Sequence, residues 1–281
     1  MLTVVPLLAA ALLGTDTVLV SPAWLSAHLG DPGVVVVQVD RNRTAYDAGH
    51  IEGSQFLPLS SIIVERDGVP NELPAVATLD SVLESVGIGD DTRVIITGDP
   101  LSAARLFFTL DYLGHSHQAA LLDGGTEMWV EGGWPVDTAT VPARQGMLTP
   151  DPQPEIVVSA EWVKQHLGSP GVVFLDARPA TDFSAGHIPG ARSIFWKTTM
   201  GGSPPVLLSR GALEEMFRAV GVRSGDQVVT YCRSGMQASY LYFVARYLGY
   251  ETKMYDGSMA EWSRVPGAPI ETGAPSAPQG H

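Results

Sequence analysis

One stretch of the chain combines a nucleophile with the backbone features that activate one. Residues 228–250 read VVTYCRSGMQASYLYFVARYLGY. An apolar run ends at Tyr231, Cys232 follows at once, and Arg233-Ser234-Gly235-Met236-Gln237-Ala238 leads into apolar residues at helical spacing. A cysteine at the carboxyl end of a strand, facing a helix N-terminus, stands where α/β folds place their ligands. Loop amides point inward there, with the positive end of the helix dipole behind them, and that field favours an anion. The same field lowers a thiol pKa, so Cys232 is expected to be a thiolate near neutral pH. Gly235 permits the tight turn without a Cβ clash, and Arg233 brings a guanidinium to the mouth. The competing account is that a free cysteine is a small buried hydrophobe.

An internal repeat weighs between the two accounts. SPAWLSAHLGDPGVVVVQVD (21–40) matches SAEWVKQHLGSPGVVFLDAR (159–178), and AGHIEGS (48–54) matches AGHIPGA (185–191). DDTRVIIT (90–97) matches GDQVVTYC (225–232), DYLGH (111–115) matches RYLGY (246–250), and LDGGTEMW (122–129) matches YDGSMAEW (255–262). The order is the same in both halves, so the chain carries two copies of one unit. In this alignment Thr97 stands at the place of Cys232, and Asp99 and Pro100 at those of Ser234 and Gly235. The unit therefore does not need the cysteine to fold, and a catalytic role in the second copy is the better account.

The elements that must position the loop follow from the pattern. Ser21-Pro22 supplies an N-cap and a first-turn proline for a helix over 23–29. Continuous apolar, β-branched residues at 34–39 mark a strand covered on both faces. Further helices are expected at 78–86 and 102–113, and strands at 93–97 and 119–122. The second copy gives strands at 172–176, 227–231 and 252–255, with helices at 211–220 and 236–248. Short apolar strands alternating with helices predict α/β units, each a central, mostly parallel sheet flanked by helices. The organisation is a first copy over 17–137, a Pro- and Gly-containing linker at 138–154, a second copy over 155–273 and a tail at 274–281.

Composition narrows the function classes. The chain has 281 residues, 45% of them apolar and 17% charged, which rules out wholesale disorder. Its formal charge of -13 argues against broad nucleic-acid binding and an anionic membrane surface. One cysteine excludes a disulfide framework or a Cys-based zinc site within the chain. No apolar run is long enough to span a membrane. Residues 1–13, MLTVVPLLAAALL, read either as the apolar core of an export signal, with small residues at Ala9–Ala11, or as an N-terminal arm within 1–16. Export would make the protein periplasmic or secreted; otherwise it is cytoplasmic.

The sequence resembles the tandem rhodanese-domain sulfurtransferases over about residues 18–272. The motifs that carry the resemblance are Cys232-x-x-Gly235-x-x-Ala238, Asp176-Ala177-Arg178, GHIPGA at 186–191 and DGSMAEW at 256–262. It implies two rhodanese-like domains, the first inactive and the second catalytic, with a persulfide carried on Cys232. A small anionic donor such as thiosulfate would give up its outer sulfur, and a thiophilic acceptor, cyanide or a thiol, would take it. The amides of Arg233, Ser234, Gly235, Met236, Gln237 and Ala238 would cradle that sulfur, while Arg233 and Arg178 bind the donor's anionic head. Arg178 could instead pair with Asp176 or Asp182, and Arg192 is a weaker candidate. No metal or organic cofactor is needed, and a monomer is expected.

His50 and His187 occur in both copies, as do Trp129 and Trp262, so all four are expected to be structural. His115-x-His117 lacks a third metal ligand and reads as a surface turn. Donor choice rests on the family's habits. Arg233 resembles the thiosulfate type and Ser234 the mercaptopyruvate type. The latter uses a Ser–His–Asp relay with its histidine from the first domain. The counterpart stretch here, RDGVPNELP (66–74), offers Asn71 and Glu72 but no histidine, which tips the choice to thiosulfate. Two rivals stand against the sulfurtransferase. A cysteine phosphatase or arsenate reductase needs Cys-x5-Arg, but position 238 is Ala and the preceding residue Tyr231. A non-catalytic binding module would not take up sulfur at Cys232.

Overall fold

The computed structural model describes residues 17–274, so the readings of 1–16 and of most of the tail lie outside the described residues. Each copy is built on a parallel sheet. In the first, the strands run Leu19–Val20, Ala119–Leu122, Arg93–Gly98, Val34–Asp40, Gln55–Pro58 across the sheet. In the second, they run Glu251–Met254, Gln227–Tyr231, Val172–Asp176, Arg192–Ser193. A parallel bridge from Val157 to Met254 takes the edge place that Leu19–Val20 holds in the first copy. The valine run behaves as its composition dictates: Val36 is buried on one face of the sheet, Val37 and Val39 on the other.

Helices fall where the spacing places them, with ends fixed by local chemistry. Ser21 caps Pro22–His28 by accepting from Trp24 N, and Ser159 caps Ala160–His166 in the same way through Trp162 N. The helix expected from 102 starts earlier, at Pro100, because Asp99 caps it and a proline is welcome in the first turn. The other expected helices are Val76–Ser85, Arg210–Ala219 and Met236–Leu248, and short helices at Thr44–Ala48, Gly125–Glu131, Ala180–Ala185 and Ser258–Trp262 add to them.

The ladders correct the alignment of the two copies by one residue. Val34 pairs with Arg93 and its counterpart Val172 with Gln227. Strand register therefore sets Thr97 opposite Tyr231, and Gly98 stands where Cys232 does. Residues 139–153 run without helix or strand back along the first copy, where Gly146 N donates to Glu84 O at 2.9 Å and Asp90 N to Met147 O at 2.9 Å.

The helices that follow the two equivalent loops, Pro100–Tyr112 and Met236–Leu248, pack against each other. Phe107 meets Phe243 edge-on at 5.2 Å and Phe108 meets Tyr242 at 5.0 Å. At the far end, the Tyr242 hydroxyl donates to Asp111 at 2.7 Å and Arg246 lies 3.0 Å from the same carboxylate. One hydrophobic cluster runs through both copies. Each copy also sends a small antiparallel hairpin toward the other. Val64–Arg66 with Val69–Glu72 reaches the second copy's cysteine loop, and Met200–Gly201 with Val206–Leu207 reaches the equivalent region of the first.

Candidate active site

Cys232 stands directly after the strand Gln227–Tyr231 and before the helix Met236–Leu248. The loop between them is four residues long, and Gly235 closes it at φ +80°, where a Cβ would come within 2.3 Å of Asp256 Oδ1. That position admits glycine for two reasons at once, backbone conformation and lack of space. The backbone amides of Ala238, Ser234 and Gln237 favour the anionic form of the sulfur.

The charge state is corrected. Cys232 is only 1% exposed, and burial pushes its thiol above the ordinary range despite the three amides. Removing a charge from water disfavours its ionised form, which opposes the thiolate expected from the loop's amides.

The loop is fastened from behind by the DGS motif. Ser258 Oγ accepts from Cys232 N at 3.1 Å and from Gly235 N at 3.3 Å, and donates to Tyr255 O at 2.9 Å. Met259 N and Ala260 N donate to the carbonyls of Cys232 and Arg233 at 3.1 and 2.8 Å. Ser258 adopts φ +52°, whereas its counterpart in the first copy, Gly125, adopts φ +59° without a side chain. The left-handed conformation costs an ordinary residue about 1–2 kcal/mol. The second copy carries that strain for a hydroxyl that satisfies two buried amides. The sequence holds the signal, serine against glycine in DGS and DGG, but its meaning depends on the positive φ.

The first copy contributes directly. Asn71, at φ +66° in its hairpin, donates from Nδ2 to Ser234 O and Ser234 Oγ, both at 3.0 Å. Arg105, fully buried, pairs with Asp256 through two nitrogens at 2.7 and 2.8 Å and donates to Asn71 O at 2.5 Å. Arg105 escaped the sequence reading because it sits inside an apolar helix with no local partner.

The residues singled out from sequence divide. Arg233 is exposed at the mouth with its guanidinium unpaired among the described residues, Ser234 and Gln237 are half-buried, and Gly235, Met236 and Ala238 are buried in the loop and first helical turn. Arg178 takes the alternative weighed from the sequence, a pair with Asp176. Its Nε and Nη2 are held by Asp176 at 3.0 and 2.7 Å, and Nη2 also donates to Gly186 O at 2.7 Å. Its charge is spent on that pair, and it braces the GHIPGA turn. His50 and His187 are equivalent, each bonding the carbonyl four residues back (Tyr46 O, 2.7 Å; Phe183 O, 2.8 Å) and stacking on that ring. Trp129 and Trp262 are buried and donate to Pro135 O and Pro269 O. His115 is not on the surface: it is buried, with Nε2 3.0 Å from Thr149 O. Among the described residues no cluster could hold a metal ion.

A model of the rhodanese-like domain matches residues 21–132 and 159–265. The chain belongs to the rhodanese-like domain family. As a tandem rhodanese it is 32% identical over 285 residues to the sulfur carrier protein TtuD of Thermus thermophilus, covering 91% of this chain and 97% of the relative. It is 30% identical over 285 residues to a thiosulfate sulfurtransferase of Corynebacterium glutamicum (91% and 90% covered). It is 29% identical over 279 residues to a probable 3-mercaptopyruvate sulfurtransferase of Pseudomonas aeruginosa (91% and 98%). The fold is similar to the wild-type structure of EanB, with a TM-score of 0.82 at 23% identity, over 92% of this chain and 70% of that one. The rhodanese family and its sulfurtransferase relatives thus account for both copies.

Proposed function

We propose that this rhodanese moves the outer sulfur of thiosulfate to a thiophilic acceptor through a persulfide on Cys232. Cys232 loses its proton to solvent, and the thiolate attacks the outer sulfur of thiosulfate. The new S–S bond forms as the bond to the sulfonate sulfur breaks, and sulfite departs with the electron pair. Cyanide or a thiolate then attacks the outer persulfide sulfur, and the Cys232 thiolate is released. Sulfur is moved without a cofactor, and ping-pong kinetics follow. The amides of Ser234, Gln237 and Ala238 stabilise the negative sulfur, as the donors of an oxyanion hole do. Arg233, unpaired and exposed, meets the sulfonate.

The observation that carries the reading is the placement of the lone cysteine in the four-residue loop between strand and helix, where the amides of Ala238, Ser234 and Gln237 favour its anion. Preference for thiosulfate over mercaptopyruvate is supported by Asn71, whose amide occupies Ser234 where a relay would require a histidine. The test is intact mass spectrometry after incubation with thiosulfate. One added sulfur on the wild type and none on Cys232→Ser is expected. A Cys232→Ser variant that still forms thiocyanate at the wild-type rate overturns the reading, and faster loading from mercaptopyruvate overturns the donor.

A further inference from the structure

The first copy lacks the cysteine, yet the place equivalent to the catalytic pocket has not closed. A cavity of about 660 Å3 lies there, at the carboxyl ends of its strands. That size is typical of small-molecule sites. One wall is the loop at Gly98–Asp99 and the turn Asp123-Gly124-Gly125; the other comes from the second copy, with Leu207 of its hairpin and Tyr240 and Phe243 of its long helix.

The charge is the reverse of what an anionic sulfur donor needs. Asp40, Asp99, Asp123, Glu127 and Glu131 line the cavity, and no Lys, Arg or His does. Asp40 and Asp99 are engaged: Asp40 accepts from Asp99 N at 2.7 Å, and Asp99 caps its helix through Ser102. Asp123 accepts from Leu207 N at 2.9 Å, and burial still pushes its carboxyl up. A cation beside it would relieve that cost.

A second observation points to a ligand. Tyr240 is 5% exposed and lines the cavity, its ring held by Trp196 at 5.4 Å and Phe243 at 6.1 Å. Its hydroxyl has no hydrogen-bond partner among the described residues. It is not among the buried unpartnered atoms, so it opens onto the cavity. The charge of Asp123 reaches this hydroxyl and adds to the burial that raises its pKa.

We propose that this cavity binds a small organic primary ammonium ion, its head against Asp123 and the Tyr240 hydroxyl and its apolar body against Phe243 and Leu207. The hydroxyl oxygen accepts an ammonium N–H. Glu127 and Glu131, at the exposed rim, draw the cation in. A metal ion does not suit the site, because no three ligating side chains converge among the described residues. The proposal stands independently of sulfur transfer.

The test is calorimetric titration of the full chain with phenethylamine at neutral pH, alongside 2-phenylethanol and 3-phenylpropionate. Saturable one-site binding of the amine is expected, with the alcohol at least about tenfold weaker, the loss of one charged hydrogen bond, and no binding of the acid. Asp123→Asn and Tyr240→Phe should each weaken the amine by about tenfold on the same basis. Tyr240→Phe keeps the ring packing, so it reports even if Asp123→Asn fails to fold. Cys232→Ser should bind as the wild type does. Equal affinity for amine and alcohol, wild-type binding by folded Tyr240→Phe, or loss of binding in Cys232→Ser each overturns the proposal.

Discussion

At the scale of single residues, the sulfur of Cys232 is under two opposed pressures. Burial favours the thiol, while three amides favour the anion. Because burial prevails, the thiolate fraction of the free enzyme must grow as pH rises beyond the ordinary thiol range of about 8.5. The alkylation rate of the unloaded protein by iodoacetamide should therefore climb through that range; a plateau reached below pH 8 would contradict it. Arg233 has no competing partner among the described residues, so Arg233→Ala should raise the apparent KM for thiosulfate by about tenfold, the worth of one charge-assisted hydrogen bond. Its thermal midpoint should stay where it is, and steady-state kinetics beside a melting curve checks both. Arg178 differs from Arg233 because its position by motif says nothing of the carboxylate two residues earlier that neutralises it.

At the scale of elements, the catalytic loop is a short span held by its neighbours, and Ser258 is the fastening. Ser258→Ala keeps the strained φ and orphans the amides of Cys232 and Gly235, at a cost of about 1–3 kcal/mol each in principle. Ser258→Gly orphans the same amides but releases about 1–2 kcal/mol of backbone strain. Denaturant titration should rank stability as wild type, then Gly, then Ala, with sulfur transfer slowed in both variants. If Ala proves the more stable of the two, the hydroxyl does not hold the loop as described. The central strands, long helices and the repeat were legible from the sequence, because their signals are periodic and local; the strands Leu19–Val20, Gln55–Pro58 and Arg192–Ser193 were not, being only two to four residues long. The one-residue offset of the copies was not, since it is set by the ladder from Val34 to Arg93 rather than by residue similarity. His115 was misplaced for a related reason: its cover is the returning segment at Thr149, distant in sequence.

At the scale of the whole molecule, the two copies are held by what crosses between them. Arg105 and Asp256 form a buried ion pair across the interface. Breaking such a pair from one side leaves a stranded charge and costs about 3–5 kcal/mol. Arg105→Met should destabilise by that order and release Asn71 from above the loop, whereas Arg105→Met combined with Asp256→Leu should recover much of the loss. A double-mutant cycle by denaturant unfolding measures this, and additive losses would argue against the coupling. The two hairpins that cross were the least legible elements, because each is only two to four residues per strand and carries no periodic signal.

The shared hydrophobic cluster and the mutual reach of the hairpins have a calorimetric consequence. Neither half retains its own wall once its sibling lets go, so melting cannot proceed lobe by lobe. A scan of the intact protein should give a single endotherm whose van't Hoff and calorimetric enthalpies agree, and loss of the second lobe's chemistry on heating should coincide with collapse of the first lobe's acidic hollow.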